Sequence, residues 1–139
     1  INLTGNNPLI GPNIQELGLR FPDMSEPYDK ELNKKLSKLL TQLRVPHTTG
    51  VYCGVSGPTY ETAAEVKFLQ TIGGSAVGMS TVPETIAAKH MGLRVCGISC
   101  ITNLATGISQ GKVTHDEVKE TAKLVEDSFV HFLKNFLGS

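Results

Sequence analysis

Short apolar, β-branched segments alternate along this chain with longer segments of helical period, and that alternation restricts the fold more than any other feature. Thr48 to Ser56 reads as a strand, Thr-Thr-Gly-Val-Tyr-Cys-Gly-Val-Ser, which Gly57-Pro58 stops. A helix is expected from about Tyr60 to Leu69, with Gly73-Gly74 beyond its end. Ser75 to Gly78 reads as a short buried strand. Ser80-Thr81-Val82-Pro83 opens a further helix, proline in its first turn, that ends near His90-Met91-Gly92. Leu93 to Ile101 is a nearly continuous apolar run, the pattern of a strand buried on both faces. Residues 103–112 read as a loop. Thr114-His115-Asp116-Glu117 has the form of a capping box and opens a long helix to about Leu137, with Val118, Ala122, Val125, Phe129, Phe132 and Phe136 as its apolar stripe.

Upstream, Ser25 is a candidate N-cap for a helix to residue 44, with Leu32, Leu36, Leu39, Leu40 and Leu43 on one face. Lys30, Lys34, Lys35 and Lys38 form its solvated face, and Pro46 limits its extension. The stretch 4–24 is rich in Gly, Asn and Pro and reads as one long loop, pinned by Leu9, Ile10, Leu17, Leu19 and Phe21. Loops longer than about 12–15 residues are uncommon and usually functional or disordered, and an ordered functional or interface loop is expected here. Ile1-Asn2-Leu3 reads as the tail of a strand, and an opening without Met predicts part of a longer subunit. Strand, helix, strand, helix, strand, helix predicts an α/β fold with a largely parallel or mixed sheet. Ligands in such folds sit at the C-terminal strand ends. Here those are Ser56-Gly57, Gly78-Met79-Ser80 and Thr102-Asn103.

Charge adds mainly exclusions. The 13 basic and 13 acidic residues balance to zero without a basic stripe, so nothing points to nucleic acid or a membrane surface. No run approaches the roughly 18 apolar residues of a membrane helix. The three cysteines, Cys53, Cys96 and Cys100, lack CxxC or Cys/His ligand spacing, which predicts reduced, buried thiols in a cytoplasmic protein and no metal site.

The strand ends carry the residues with chemistry. Glu61 is expected in the first turn of a helix, where the dipole keeps a carboxylate ionised; the commoner fate of such a Glu is a surface residue that only complements that dipole. Tyr60 is a stacking platform or an interface aromatic. Gly78 permits close approach of backbone to a ligand. Ser80 suits an anion, or is a plain N-cap. Asn103, at the mouth of an apolar strand, carries the donor and acceptor that would read a heterocycle edge, or forms a turn. His115 could bind a hydroxyl or stand exposed beside a cap. His47, His90 and His131 read as surface or packing residues. No GxGxxG, Walker loop or GxSxG is present.

In order and spacing, Asn7-Pro8-Leu9-Ile10-Gly11-Pro12-Asn13, Arg20-Phe21-Pro22-Asp23-Met24-Ser25, Tyr28-Asp29, Gly57-Pro58-Thr59-Tyr60-Glu61-Thr62, Gly78-Met79-Ser80-Thr81-Val82-Pro83-Glu84 and Ile101-Thr102-Asn103 resemble the trimeric purine nucleoside phosphorylases over nearly the whole chain. The resemblance implies a three-layer α/β/α fold with a mixed central sheet, incomplete here. Residues 1–139 would be the C-terminal half of one phosphorylase domain.

It implies reversible phosphorolysis of 6-oxopurine nucleosides such as inosine and guanosine, a pentosyl transfer of purine salvage. Inorganic phosphate would be the co-substrate, with no metal or organic cofactor. Glu61, Asn103 and His115 would be the catalytic residues. Glu61 would bind the purine N1–H, and Asn103 would bridge N7 and O6. Tyr60 and Val77 would line the base, Met79 and His115 the ribose, and Ser80 the phosphate. The remaining phosphate and ribose ligands would come from the N-terminal half of the same subunit, within a cytoplasmic homotrimer. The 4–24 loop resembles the segment that packs at the subunit interface and closes a neighbour's site. Methylthioadenosine phosphorylase, which shares Gly-Met-Ser-Thr-Val-Pro-Glu, and a non-catalytic nucleoside-binding or assembly module are the alternatives.

Overall fold

The computed structural model describes residues 1–108 and 114–138. Its elements run β1 (Asn2–Leu3), α1 (Lys30–Gln42), β2 (Tyr52–Val55), α2 (Ala63–Thr71), β3 (Ala76–Gly78), α3 (Val82–His90) and α4 (His115–Leu137). The α/β class expected from the sequence is present, and the three described strands form one sheet in chain order, parallel throughout. Asn2 and Leu3 lie opposite Gly54 and Val55. Tyr52, Cys53 and Gly54 lie opposite Ala76, Val77 and Gly78. Side chains alternate across a strand, so Cys53, Val55 and Val77 share one face while Tyr52, Gly54, Ala76 and Gly78 share the other.

Two small cores follow. Around the sheet, Cys53 is fully buried, with Val66 and Leu69 of α2 and Val82 and Ile86 of α3 also buried. Elsewhere α1 packs on α4. There Leu40 and Phe132 are buried, and the Phe132 ring lies 6.3 Å from Phe129 and 5.9 Å from Phe136 between centroids. Lys35 leaves the lysine face expected to be solvated: its ammonium sits 5.2 Å from the centre of the Phe136 ring, a cation–π contact.

The helix starts differ from the sequence reading because side-chain acceptors, not helical period, fix them. Ser25 does not cap α1; its amide and hydroxyl both donate to Asp23 Oδ1. Asp29 caps instead, accepting the Leu32 N–H at 2.8 Å. The same carboxylate accepts Arg94 Nε at 2.6 Å and Nη2 at 2.9 Å, and Arg94 reaches Glu31 at 2.9 Å. The Asp29 amide donates to the Val95 carbonyl at 2.7 Å.

Leu93 to Ile101 is not a strand buried on both faces. No described strand lies beside it to take its backbone groups, and Leu93, Ile98 and Ile101 are exposed. Cys100, expected buried, is exposed for the same reason, and Cys96 is half-buried; all three thiols are free. The strand expected over 48–56 is paired only at Tyr52–Val55. Of the apolar anchors expected in the 4–24 loop, Ile10, Leu17, Leu19 and Phe21 are exposed and only Leu9 is half-buried, so apolar contacts contribute little to holding it. Polar ones hold it: buried His90 places Nε2 3.1 Å from Asn13 Oδ1, and Asn13 Nδ2 donates to the Gly18 carbonyl at 3.0 Å.

The accessible surface is 10,057 Å², against roughly 7,000 Å² expected of a folded monomer of 14.9 kDa. Large apolar side chains contribute to that surface: Phe68, Leu104, Leu124 and Leu137 are all exposed.

Two outcomes follow from this packing. Phe132→Ala lowers stability by roughly 3–5 kcal/mol in urea denaturation, while Leu124→Ala, at an exposed position, leaves the midpoint nearly unchanged. The Arg94 guanidinium, followed by the Leu32 amide, holds the Asp29 carboxyl well below the usual carboxylate range. Its native pKa lies below its unfolded one, so its contribution is present above about pH 4 and fades as pH falls. Asp29→Asn therefore flattens the acid limb of a stability-versus-pH curve, and an unchanged limb would contradict the role given to this junction.

Candidate functional site

Three loops carry the residues singled out in the sequence: 56–62 after β2, 79–81 after β3, and 102–107 after the uncovered apolar segment. The first is built around a capping box. Thr62 caps α2: its hydroxyl accepts the Glu65 amide at 3.3 Å, while the Glu65 carboxylate accepts the Thr62 N–H and hydroxyl, each at 2.7 Å. Those two bonds, the backbone one first, hold the Glu65 carboxyl below its usual range.

Glu61 therefore precedes the cap and is not in the first helical turn. The reading that it only complements a helix dipole is corrected, because Glu65 does that work. Glu61 is half-buried and has no hydrogen bond or ion pair among the described residues. With Tyr60, Leu3, Val55, Gly57 and Phe68 it lines a cleft of about 250 Å³. Tyr60 is 41% exposed at this cleft.

Gly57 joins this loop to the second. Its φ is +63°, and a Cβ on it would stand 2.3 Å from Met79 Sδ. Only glycine lets the Met79 side chain lie against the strand end that leads to Tyr60 and Glu61. Val77, half-buried in β3, shares the sheet face of Val55, which lines the cleft. Ser80 is exposed and is not the N-cap of α3; Thr81 occupies that position, with no side-chain capping bond. Thr81 has φ +71° and ψ −49°, and Val82 N donates to Ser80 O at 2.7 Å, a γ-turn of the rare positive-φ kind. The Ser80 hydroxyl lies 3.2 Å from the Thr81 hydroxyl and 3.4 Å from the phenol of Tyr52.

The third loop packs back on the first. A Cβ on Gly107 would meet Ala63 Cβ at 2.7 Å, so the chain after Asn103 rests on the start of α2, two residues from Glu61. Asn103 is half-buried and its amide is oriented: Oδ1 accepts the Thr102 hydroxyl at 2.7 Å and Nδ2 donates to the Leu104 carbonyl at 3.1 Å. One N–H of that amide remains for a ligand.

His115 is exposed at the start of α4, beside Thr114, which accepts the Glu117 amide at 3.3 Å. Among the described residues no hydrogen bond joins it to the other loops. The remainder of the loop expected over 103–112, from 109 on, lies outside the described residues. The structure thus brings Tyr60, Glu61, Met79 and the Asn103 loop to one end of the sheet, with Ser80 beside them.

Sequence reasoning missed the Thr62–Glu65 box, although Thr-x-x-Glu is its signature. It also missed Tyr52, for which no local signal exists: its hydroxyl meets Ser80 across 28 positions of sequence.

The match to known proteins is extensive. The family model of the phosphorylase superfamily matches residues 1–138. Purine nucleoside phosphorylase 1 of Bacillus subtilis is 54% identical over 134 residues, which is 96% of this chain and 49% of that protein. A Schistosoma purine nucleoside phosphorylase crystallised with hypoxanthine superposes with a TM-score of 0.93 at 35% identity, covering 99% of this chain and 51% of that one. A Schistosoma mansoni purine nucleoside phosphorylase crystallised with adenosine gives 0.91 at 35% identity, with coverage of 99% and 52%. The chain spans about half the length of the relatives it matches.

The sheet end admits a direct steric test. A Cβ on Gly78 would stand 2.1 Å from the Tyr52 phenol oxygen and 3.0 Å from Cζ. Gly78→Ala therefore costs about 1–3 kcal/mol through overpacking, and Tyr52→Phe in the same chain recovers part of it, because the nearest obstruction recedes. Simple additivity of the two substitutions in chemical denaturation would contradict this packing.

Proposed function

The chain belongs to the phosphorylase superfamily, and from that premise we propose that it is the C-terminal half of a 6-oxopurine nucleoside phosphorylase subunit, acting in phosphorolysis of inosine and guanosine. The observation that carries this reading is Glu61: a half-buried carboxylate on the cleft, beside Tyr60, with no bonding partner among the described residues because Glu65 serves the helix cap.

In this reading the Glu61 carboxylate accepts the purine N1–H, and the 2-amino group of guanine where present. Tyr60 and Val77 pack on the base, Met79 meets the ribose, and Ser80 donates to phosphate. Asn103 works where charge develops. As the glycosidic bond breaks, negative charge gathers on the leaving purine, and in this reading the Asn103 amide, already held by Thr102 and Leu104, offers its remaining N–H to the N7/O6 edge. A donor preorganised at such a point is worth roughly 3–4 kcal/mol. Inorganic phosphate is the nucleophile, and no metal or organic cofactor enters the scheme. His115 is kept as the ligand of the 5′-hydroxyl. The homotrimer and the cytoplasmic location go with this reading, supported by the uncovered apolar surface and the three free thiols.

The preference for 6-oxo over 6-amino purines rests on pairing. Adenine would offer an acceptor to the Glu61 carboxylate and leave that group unsatisfied. A relative crystallised with adenosine is compatible with this, because the discrimination is expected in kcat/KM and not in whether a 6-amino nucleoside can occupy the pocket.

In the full-length subunit, Glu61→Ala and Asn103→Ala should each lower kcat/KM for inosine by on the order of 10²–10³. Steady-state phosphorolysis of inosine and adenosine tests this. Retention of the wild-type rate by either variant, or a parent that prefers adenosine, would remove the assignment.

A further inference from the structure

We propose that Tyr52 is a positioning residue, its phenol orienting the Ser80 hydroxyl toward phosphate. The inference rests on the reading of Ser80 as a phosphate ligand given above.

Tyr52 begins β2, on the sheet face shared by Gly54, Ala76 and Gly78. Its ring crosses β3 over Gly78, through space that any side chain at 78 would fill: a Cβ there would come within 2.1 Å of the phenol oxygen. Past that gap the hydroxyl arrives 3.4 Å from Ser80 Oγ. Among the described residues the phenol has no other hydrogen-bond partner. The Ser80 hydroxyl also lies 3.2 Å from the Thr81 hydroxyl.

The turn that aims Ser80 is fixed independently. Thr81 is β-branched and sits at φ +71°, a conformation that persists only where surroundings enforce it. The buried Thr85 hydroxyl supplies one restraint, donating to the Thr81 carbonyl at 2.7 Å.

The chemistry gives the phenol a definite task. A serine that binds an anion must direct its single proton at that anion, so its oxygen lone pairs need a donor from behind. Tyr52 O–H is placed to be that donor. Hydrogen bonds in series also strengthen one another, so the phenol increases the donor strength of the Ser80 O–H. Phenylalanine keeps the ring over Gly78 and removes only this function.

The test compares Tyr52→Phe, Ser80→Ala and the double variant in the full-length subunit, measuring KM for phosphate and for inosine. Tyr52→Phe should raise the phosphate KM about three- to tenfold with the inosine KM unchanged. In the Ser80→Ala background it should have no further effect, because Tyr52 acts only through that hydroxyl. The proposal is overturned if Tyr52→Phe leaves the phosphate KM unchanged while Ser80→Ala raises it, if the two effects multiply, or if both KM values move together. A phosphate KM unmoved by Ser80→Ala would overturn the reading of Ser80, and the role of Tyr52 with it.

Discussion

A pair of glycines facing each other across β2 and β3 sets the geometry on which the candidate site depends. Gly54 lies opposite Gly78. A side chain at 54 would strike Val82 Cγ2 at 2.7 Å, and one at 78 would strike the Tyr52 phenol. Without those two absences the first residue of α3 could not seat on the sheet, and the Tyr52 ring could not cross it. The loop between β3 and α3 is the segment that must close this distance, and it holds Met79, Ser80 and the strained Thr81. Close packing of backbone against side chain thus determines where the candidate ribose and phosphate ligands stand.

Polar junctions hold the rest of the chain where apolar packing is thin. Asp29 caps α1 and clamps Arg94, fixing the start of the apolar segment that leads to Asn103. His90 and Asn13 tie the long loop to the end of α3. Both work through directional bonds at single points, which hold a segment in register without covering it. The exposed Leu93, Ile98 and Ile101 follow from that arrangement, as does a surface well above that of a folded monomer of this mass. A proposed role as half of a subunit is consistent with a molecule whose site lies at the edge of its own packed region.

Much of this was legible in the sequence where the signal is local. Thr114 and Glu117 marked the start of α4, and the positions of α2, β3 and α3 were readable to within a few residues. Where the reading failed, the competing cause was non-local or an alternative hydrogen bond. Ser25 lost the cap to Asp29 because its own donors were taken by Asp23. Glu61 lost its helical turn to the Thr62–Glu65 box. The Leu93–Ile101 run has the composition of a buried strand, but a strand exists only when neighbours supply its ladder.

The amino-acid sequence alone was enough for the α/β class and for the approximate places of α2, β3, α3 and α4, because period, proline, glycine and capping signals act over a few residues, but not for the segment Leu93–Ile101. It determined the resemblance to the purine nucleoside phosphorylases for a similar reason: the motifs are contiguous. The folded chain was needed to show that Glu65 serves the helix cap while Glu61 has no hydrogen bond or ion pair among the described residues, why residues 54 and 78 are glycine, and that the Tyr52 phenol lies 3.4 Å from the Ser80 hydroxyl. Those facts depend on atoms brought within a few ångströms of each other from distant parts of the chain, and no local pattern encodes such distances.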